Sequence, residues 1–288
     1  MISERTGCHQ GHEIVSPENW LDARKELLTK EKELTPHGPP SPRKVWLIGA
    51  ALAVATAFCW GWIVPMSLDM YGSMTGWSAW MMVRTWDITH QALLFAMWTV
   101  MMIGMMLPSA TPSLLFYAAT LRKSPQKRST PTSALGFGAG YLAVWTVFSL
   151  VATVLQLGLM RGLLLSPMME AQNRWFAGGL LLIAGAYQFT PFKRACLECC
   201  RSQVLFIAHE WKSEGVDGFR TGLVQGMNCL GCCWALMLLL FVGGVMNLSW
   251  MIGLTLFVLL EKLAPFGMQG GRLCGLLIIA MGLWTMIR

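Results

Sequence analysis

From Val45 onward the chain is a succession of apolar stretches separated by short polar breaks. A helix that crosses a bilayer needs about 20 such residues, within a range of roughly 17–25. In hydrocarbon every backbone polar group must also be bonded within the protein. Val45–Pro65, Thr89–Leu107, Ala134–Met160, Trp175–Phe192 and Gly222–Met246 have that length. Leu248–Leu263 and Leu273–Ile287 are shorter, and read either as two tilted spans or as one re-entrant hairpin. The expectation is an all-α, polytopic transmembrane bundle of seven spans, or six if the last pair is a hairpin. Composition agrees. Only 13% of the residues are charged and 55% are hydrophobic, against roughly 25% charged in a soluble domain, and a disordered chain is never this apolar.

Lys and Arg placement sets the expected orientation. Arg122, Lys123, Lys127 and Arg128 crowd the break after the second stretch, with no acid among them. Arg43 and Lys44 precede the first stretch, and Lys193, Arg194, Arg201, Lys212 and Arg220 follow the fourth. The alternate breaks are different: Met66–Ile88 sets Arg84 against Asp69 and Asp87, and Arg161–Arg174 carries two basic residues around Glu170. This pattern puts the N-terminus inside. The net charge of +7 is then mostly a topology signal, and nucleic acid is not an expected partner.

Residues 1–44 form a polar tail with seven basic and seven acidic residues. Ser16-Pro17-Glu18 has the order of a helix start: cap, proline at the first turn, then an acid. Trp20–Leu34 continues with an amphipathic pattern, and Pro36, Pro39, Pro40 and Pro42 follow as a stiff linker. The expected organisation is this cytoplasmic tail and a membrane domain over residues 45–288.

Three groups could carry chemistry. Cys196-Leu-Glu-Cys199-Cys200 lies past the fourth stretch, and Cys229-Leu-Gly-Cys232-Cys233 lies inside the fifth. Positions i, i+3 and i+4 share a helix face, so Cys229, Cys232 and Cys233 point one way. Thiolates at that spacing suit a soft ion, Cu(I) first and Zn(II) as the alternative. Packing is the plain reading of any small apolar cysteine, and it suffices for lone Cys59 and Cys274. The third group is in the second stretch, where Met97, Met101 and Met105 make one stripe. Extending that helix one turn outward adds His90 and Asp87. Thioethers stay neutral in hydrocarbon and bind Cu(I) without burying charge, although methionine also fills irregular cores. Glu261-Lys262 reads as an intramembrane pair or an anchor, and Gly136-x-Gly138-x-Gly140 as close helix packing. No Walker sequence, nucleophile elbow or His-Glu-x-x-His is present, so nothing points to ATP hydrolysis or proteolysis.

Several of these motifs are long enough to carry a resemblance. Met97–Ser109, Gly185–Pro191, Cys196 with Cys200-Arg201, Gly226–Met237, and Phe241–Leu248 with Glu261-Lys262-Leu263 resemble a bacterial family of predicted metal-binding integral membrane proteins. The resemblance covers roughly residues 45–288. It implies metal binding and an inner-membrane location, and in its pattern Cys196, Cys200 and Arg201 match while Cys199 fills a variable position. The tail segment 12–35 resembles the opening helix of a thioredoxin-like family of predicted dithiol-disulfide oxidoreductases, without the core that follows it there.

Three functions compete on the sequence alone. The first is a membrane protein that binds Cu(I) through Met and Cys and delivers or translocates it, with a metallochaperone or metalloenzyme as partner. The second is a thiol–disulfide electron carrier using Cys196 with Cys199 or Cys200. The third is an assembly factor whose thiols and thioethers only pack.

Overall fold

The computed structural model describes residues 42–72, 87–121, 130–166, 169–201, 218–264 and 267–288. The tail and its expected amphipathic helix lie outside these residues. The helices are α1 Pro42–Tyr71, α2 Ile88–Leu121, α3 Thr130–Arg161, α4 Arg174–Tyr187, α5 Pro191–Arg201, α6 Gly218–Leu238, the short α7 Leu240–Gly243, α8 Leu248–Leu263 and α9 Gly267–Ile287. Among the described residues no strand occurs, and one isolated bridge joins Leu165 to Ala171.

Five segments are long and apolar enough to cross a membrane: Trp46–Tyr71, Ile88–Ala118, Ser133–Arg161, Gly218–Gly243 and Gln269–Ile287. The expected count of seven differs at two places. Trp175–Phe192 folds as the 14-residue α4, about 21 Å at 1.5 Å per residue. It stops because the chain turns at Gln188–Thr190 and Pro191 opens a new helix. The α8 helix has 16 residues, about 24 Å, against roughly 30 Å of hydrocarbon. The last segment is longer than its apolar run suggested, because Gly267–Arg272 is also helical.

The packing registers give each helix a direction. On α2, Pro108 has no N–H, so the Gly104 carbonyl four residues earlier loses its helical partner. The indole of Trp60 on α1 donates to that carbonyl at 3.1 Å, and Gly49 faces Leu115, so α1 runs antiparallel to α2. Trp60→Phe should cost about 1–3 kcal/mol, the usual penalty for an orphaned buried acceptor. Thermal unfolding in detergent checks this, and an unchanged midpoint would show that water reaches Gly104. Trp98 on α2 donates to Gln156 on α3 at 2.6 Å, and Tyr141 reaches the Met106 carbonyl at 3.2 Å, so α2 and α3 are also antiparallel.

Helices α3 and α6 run parallel and almost touch. Cβ atoms built on Gly218 and Gly222 would collide with the backbone of Ser133 and Phe137, and one on Gly226 would lie 2.9 Å from Val144. Gly136 and Gly140 face α6 in return. This is the small-residue packing expected of that glycine run. Helices α4 and α9 pair antiparallel in the same way, Gly178 beside Gly282 and Gly185 beside Gly275. The bundle has a near end, where α1 starts and α2 finishes, and a far end, where α1 finishes and α2 starts.

Candidate metal centre

The thiol-bearing helix α6 is held by glycine contact on one side, and α5 packs on another. A Cβ on Gly231 would lie 2.7 Å from Cys196 Sγ, so a glycine there is what admits the α5 thiols. Tyr187, just before α5, donates to the Gly231 carbonyl and sets its ring edge-on to Trp234 at 5.2 Å. The consequence is a meeting of two thiol groups. Cys196 and Cys200 from α5 and Cys229, Cys232 and Cys233 from α6 are all free and buried, and Cys200 hydrogen-bonds Cys232.

Within α6 the three thiols share one face, as their spacing requires. Cys232 and Cys233 both turn their S–H groups back to the Cys229 carbonyl at 3.0 Å. Among the described residues no three His, Cys, Asp or Glu side chains form a ready-made ion cage. Burial, reinforced by Cys232, pushes the Cys196 thiol up to about 11. Cys200 is held well above the ordinary thiol range, first by its hydrogen bond with Cys232 and then by burial. Both α5 groups are therefore neutral S–H donors, which release protons when a metal binds.

Two side chains that the sequence does not tie to the thiols sit against Cys229. Lys262 from α8 donates to Cys229 Sγ at 2.9 Å and to Ser109 Oγ on α2 at 3.1 Å. The Tyr141 hydroxyl from α3 lies 3.0 Å from the same sulfur. Glu261, next to Lys262, does not pair with it. It meets Lys193 of α5 at 2.5 Å, with both side chains almost wholly buried, and Gln188 accepts from the same ammonium. The Glu261-Lys262 dipeptide thus splits, one residue to the ion pair and one to the thiol layer. An ionisable residue inside an apolar stretch was the available signal.

Met97, Met101 and Met105 are fully buried, as are Met102 and Met106, and all belong to the core that holds the thiols. His90 is 2% exposed, and its Nδ1 has no hydrogen-bond partner among the described residues. Asp87 is exposed just before α2, where its backbone carbonyl accepts from Gln91 at 3.2 Å. The helix therefore starts one residue after Asp87, so the expected extra turn reaches His90 but not the carboxylate-bearing residue.

The fold and site define an all-helical protein, apolar enough for a multi-pass membrane location, with a buried core rich in sulfur. The copper chaperone family PpoB2 is matched over residues 95–285, well over half of the chain, and the chain belongs to that family. No curated protein and no solved structure matches it. The matched region includes α2 beyond its first turns, both thiol groups and Lys262, and leaves out the tail segment with the thioredoxin-like resemblance.

Proposed function

We propose that this protein is a membrane-embedded copper chaperone that holds Cu(I) on Cys229, Cys232 and Cys233 and exchanges it through Cys196 and Cys200. The carrying observation is the convergence of the α5 and α6 thiols in one buried layer. The family supports copper. The donor set supports Cu(I) over Zn(II), because thiols and thioethers are soft and no imidazole reaches the thiol layer among the described contacts. Loading takes a χ1 rotation of Cys232 and Cys233 away from the Cys229 carbonyl, with loss of the thiol protons.

Orientation follows the basic breaks: the near end inside, the far end outside, and seven crossings in which α4 and α8 are the short ones. The parallel run of α3 and α6 supports a return of the chain between them. Exposed Phe58, Val147, Val154, Leu277 and Trp284 suit contact with the lipid bilayer. Cu(I) enters past His90, with Asp87 as the outer recruiting carboxylate, moves along Met97, Met101 and Met105, and leaves by Cys196 and Cys200 to a metallochaperone or metalloenzyme.

Detergent-purified protein equilibrated with Cu(I) against a chromogenic chelator should retain tightly held Cu(I). X-ray absorption should show a first shell of sulfur alone. Complete removal by the chelator, as in a protein-free control, would end this reading. The Cys200–Cys232 hydrogen bond also favours a thiol–disulfide carrier. Against it, segments 66–88 and 161–174 hold no cysteine to meet an outer substrate. Alkylation mass spectrometry under oxidising and reducing buffers separates the two.

A further inference from the structure

We infer that the far end of the bundle holds a second soft-metal site, made of thioethers with His90, through which a Cu(I)-class ion enters before it reaches the thiols. This rests on the copper reading above, and adds residues of four further segments to it.

The register of the helices places the site. Trp60 stands level with Gly104, and Gly49 with Leu115, so along antiparallel α1 and α2 Met70 comes level with Leu94. Trp98 is level with Gln156, so Met160, one turn further along α3, comes level with His90 and Leu94. Gln156 also donates to Met160 sulfur at 3.9 Å. Ser67, three residues before Met70, donates to the Met246 carbonyl at 2.6 Å, which brings the α6–α8 connection to the same height. Met70, Met97, Met160 and Met246 are all buried at this level.

A loop closes the end. Tyr71 donates to Glu170 at 2.8 Å, and the Ala171 N–H donates to the Phe241 carbonyl at 2.9 Å. Phe241 packs on Trp98 at 5.3 Å. Between these anchors Met169 is fully buried with φ +60°, a left-handed conformation that a long unbranched side chain rarely takes. Backbone strain of this kind persists where the surroundings impose it, and it clusters at ligand clamps. The independent sign of a ligand is His90. It shares the buried face of α2 with Leu94 and Met97, yet its Nδ1 is without a partner among the described residues. A buried imidazole nitrogen normally finds one. A soft monovalent cation fits both: the thioethers accept it without charge cost, and the neutral imidazole supplies a stronger donor.

Ag(I), a redox-inert probe of the same softness, tests the site. The variant with Cys196, Cys200, Cys229, Cys232 and Cys233 all replaced by Ser should still bind one Ag(I) by calorimetry. Adding Met70→Leu, Met160→Leu and Met169→Leu should abolish that binding. The same Leu changes with the thiols intact should leave chelator-resistant Cu(I) in place, which shows that the bundle is folded. On the unmutated chain, methionine methyl NMR should shift Met70, Met160 and Met169 at sub-saturating Ag(I). Binding of Ag(I) by the wild type but not by the serine variant would overturn the far-end site alone. No binding by either would overturn the copper reading with it. Persistence of binding in the Leu variant, or unmoved far-end methyls, would also overturn the site.

Discussion

Glu261→Ala should lower the unfolding free energy by about 3–5 kcal/mol, the range expected when one partner of a buried ion pair is removed. The Lys193–Glu261 bridge is 2.5 Å long, and its side chains are only 2% and 3% exposed. Without the carboxylate two amine-bearing side chains, Lys193 and Lys262, stay buried in one layer, with Gln188, Ser109 and Cys229 as their hydrogen-bond partners. The carboxylate also sits over Gly271 on α9, where a Cβ would strike it, so it ties α5, α8 and α9 together. Replacing both partners by apolar residues, Lys193→Met with Glu261→Leu, removes both charges at once. That double variant should recover most of the loss, and the difference is the coupling measured by a double-mutant cycle. Urea titration in detergent micelles reads it. If Glu261→Ala stayed within about 1 kcal/mol of wild type, or if the double variant were as weak as the single ones, the pair would not tie the three helices together.

How far the sequence reached depended on the kind of signal. Long apolar runs such as Ala134–Met160 announced their helices directly. The glycines at 136 and 140 announced close packing because only a neighbouring backbone needs the missing Cβ. The last span was underestimated at its start, because Gln269, Gly270, Gly271 and Arg272 look like a loop in isolation. They are helical in the bundle, where Gly271 makes room for the Glu261 carboxylate, a partner that no local pattern reveals. The Cys-x-x-Cys-Cys spacing correctly put three thiols on one face. It could not show that Lys262, 33 residues downstream, would donate to one of them, since that depends on the packing of α8 against α2 and α6. The Met97–Met105 stripe was legible from the 3.6-residue period. The thioethers assigned to the far end were not, because they come from separate segments whose levels only helix register relates.

The Cys229→Ser/Cys232→Ser/Cys233→Ser variant should fold and yet lose the tight copper. Serine hydroxyls keep the back-bonds that Cys232 and Cys233 now make to the Cys229 carbonyl, because Ser makes the same i−3 and i−4 bonds in a helix. The substitution shrinks each side chain only slightly, so α6 should stay packed on α3 and α5. Chemically the change is large. A hydroxyl is a hard donor that stays protonated, and Cu(I) takes thiolate or thioether sulfur in preference. Loss of outer partners alone typically costs 10–100-fold in metal affinity, so losing three inner ligands should weaken Cu(I) at least about a hundredfold against a chelator. An ion left to the exchange thiols Cys196 and Cys200 and to thioethers then gives way to that chelator, whereas the wild-type site does not. Tyr141→Phe, which removes the hydroxyl 3.0 Å from Cys229 sulfur and leaves every thiol, should cost only about tenfold. The two variants together rank ligand against support. Wild-type retention by the serine variant, with melting unchanged, would move the copper away from α6. Equal losses in both variants would mean that the hydroxyl, and not the thiol row, controls the site.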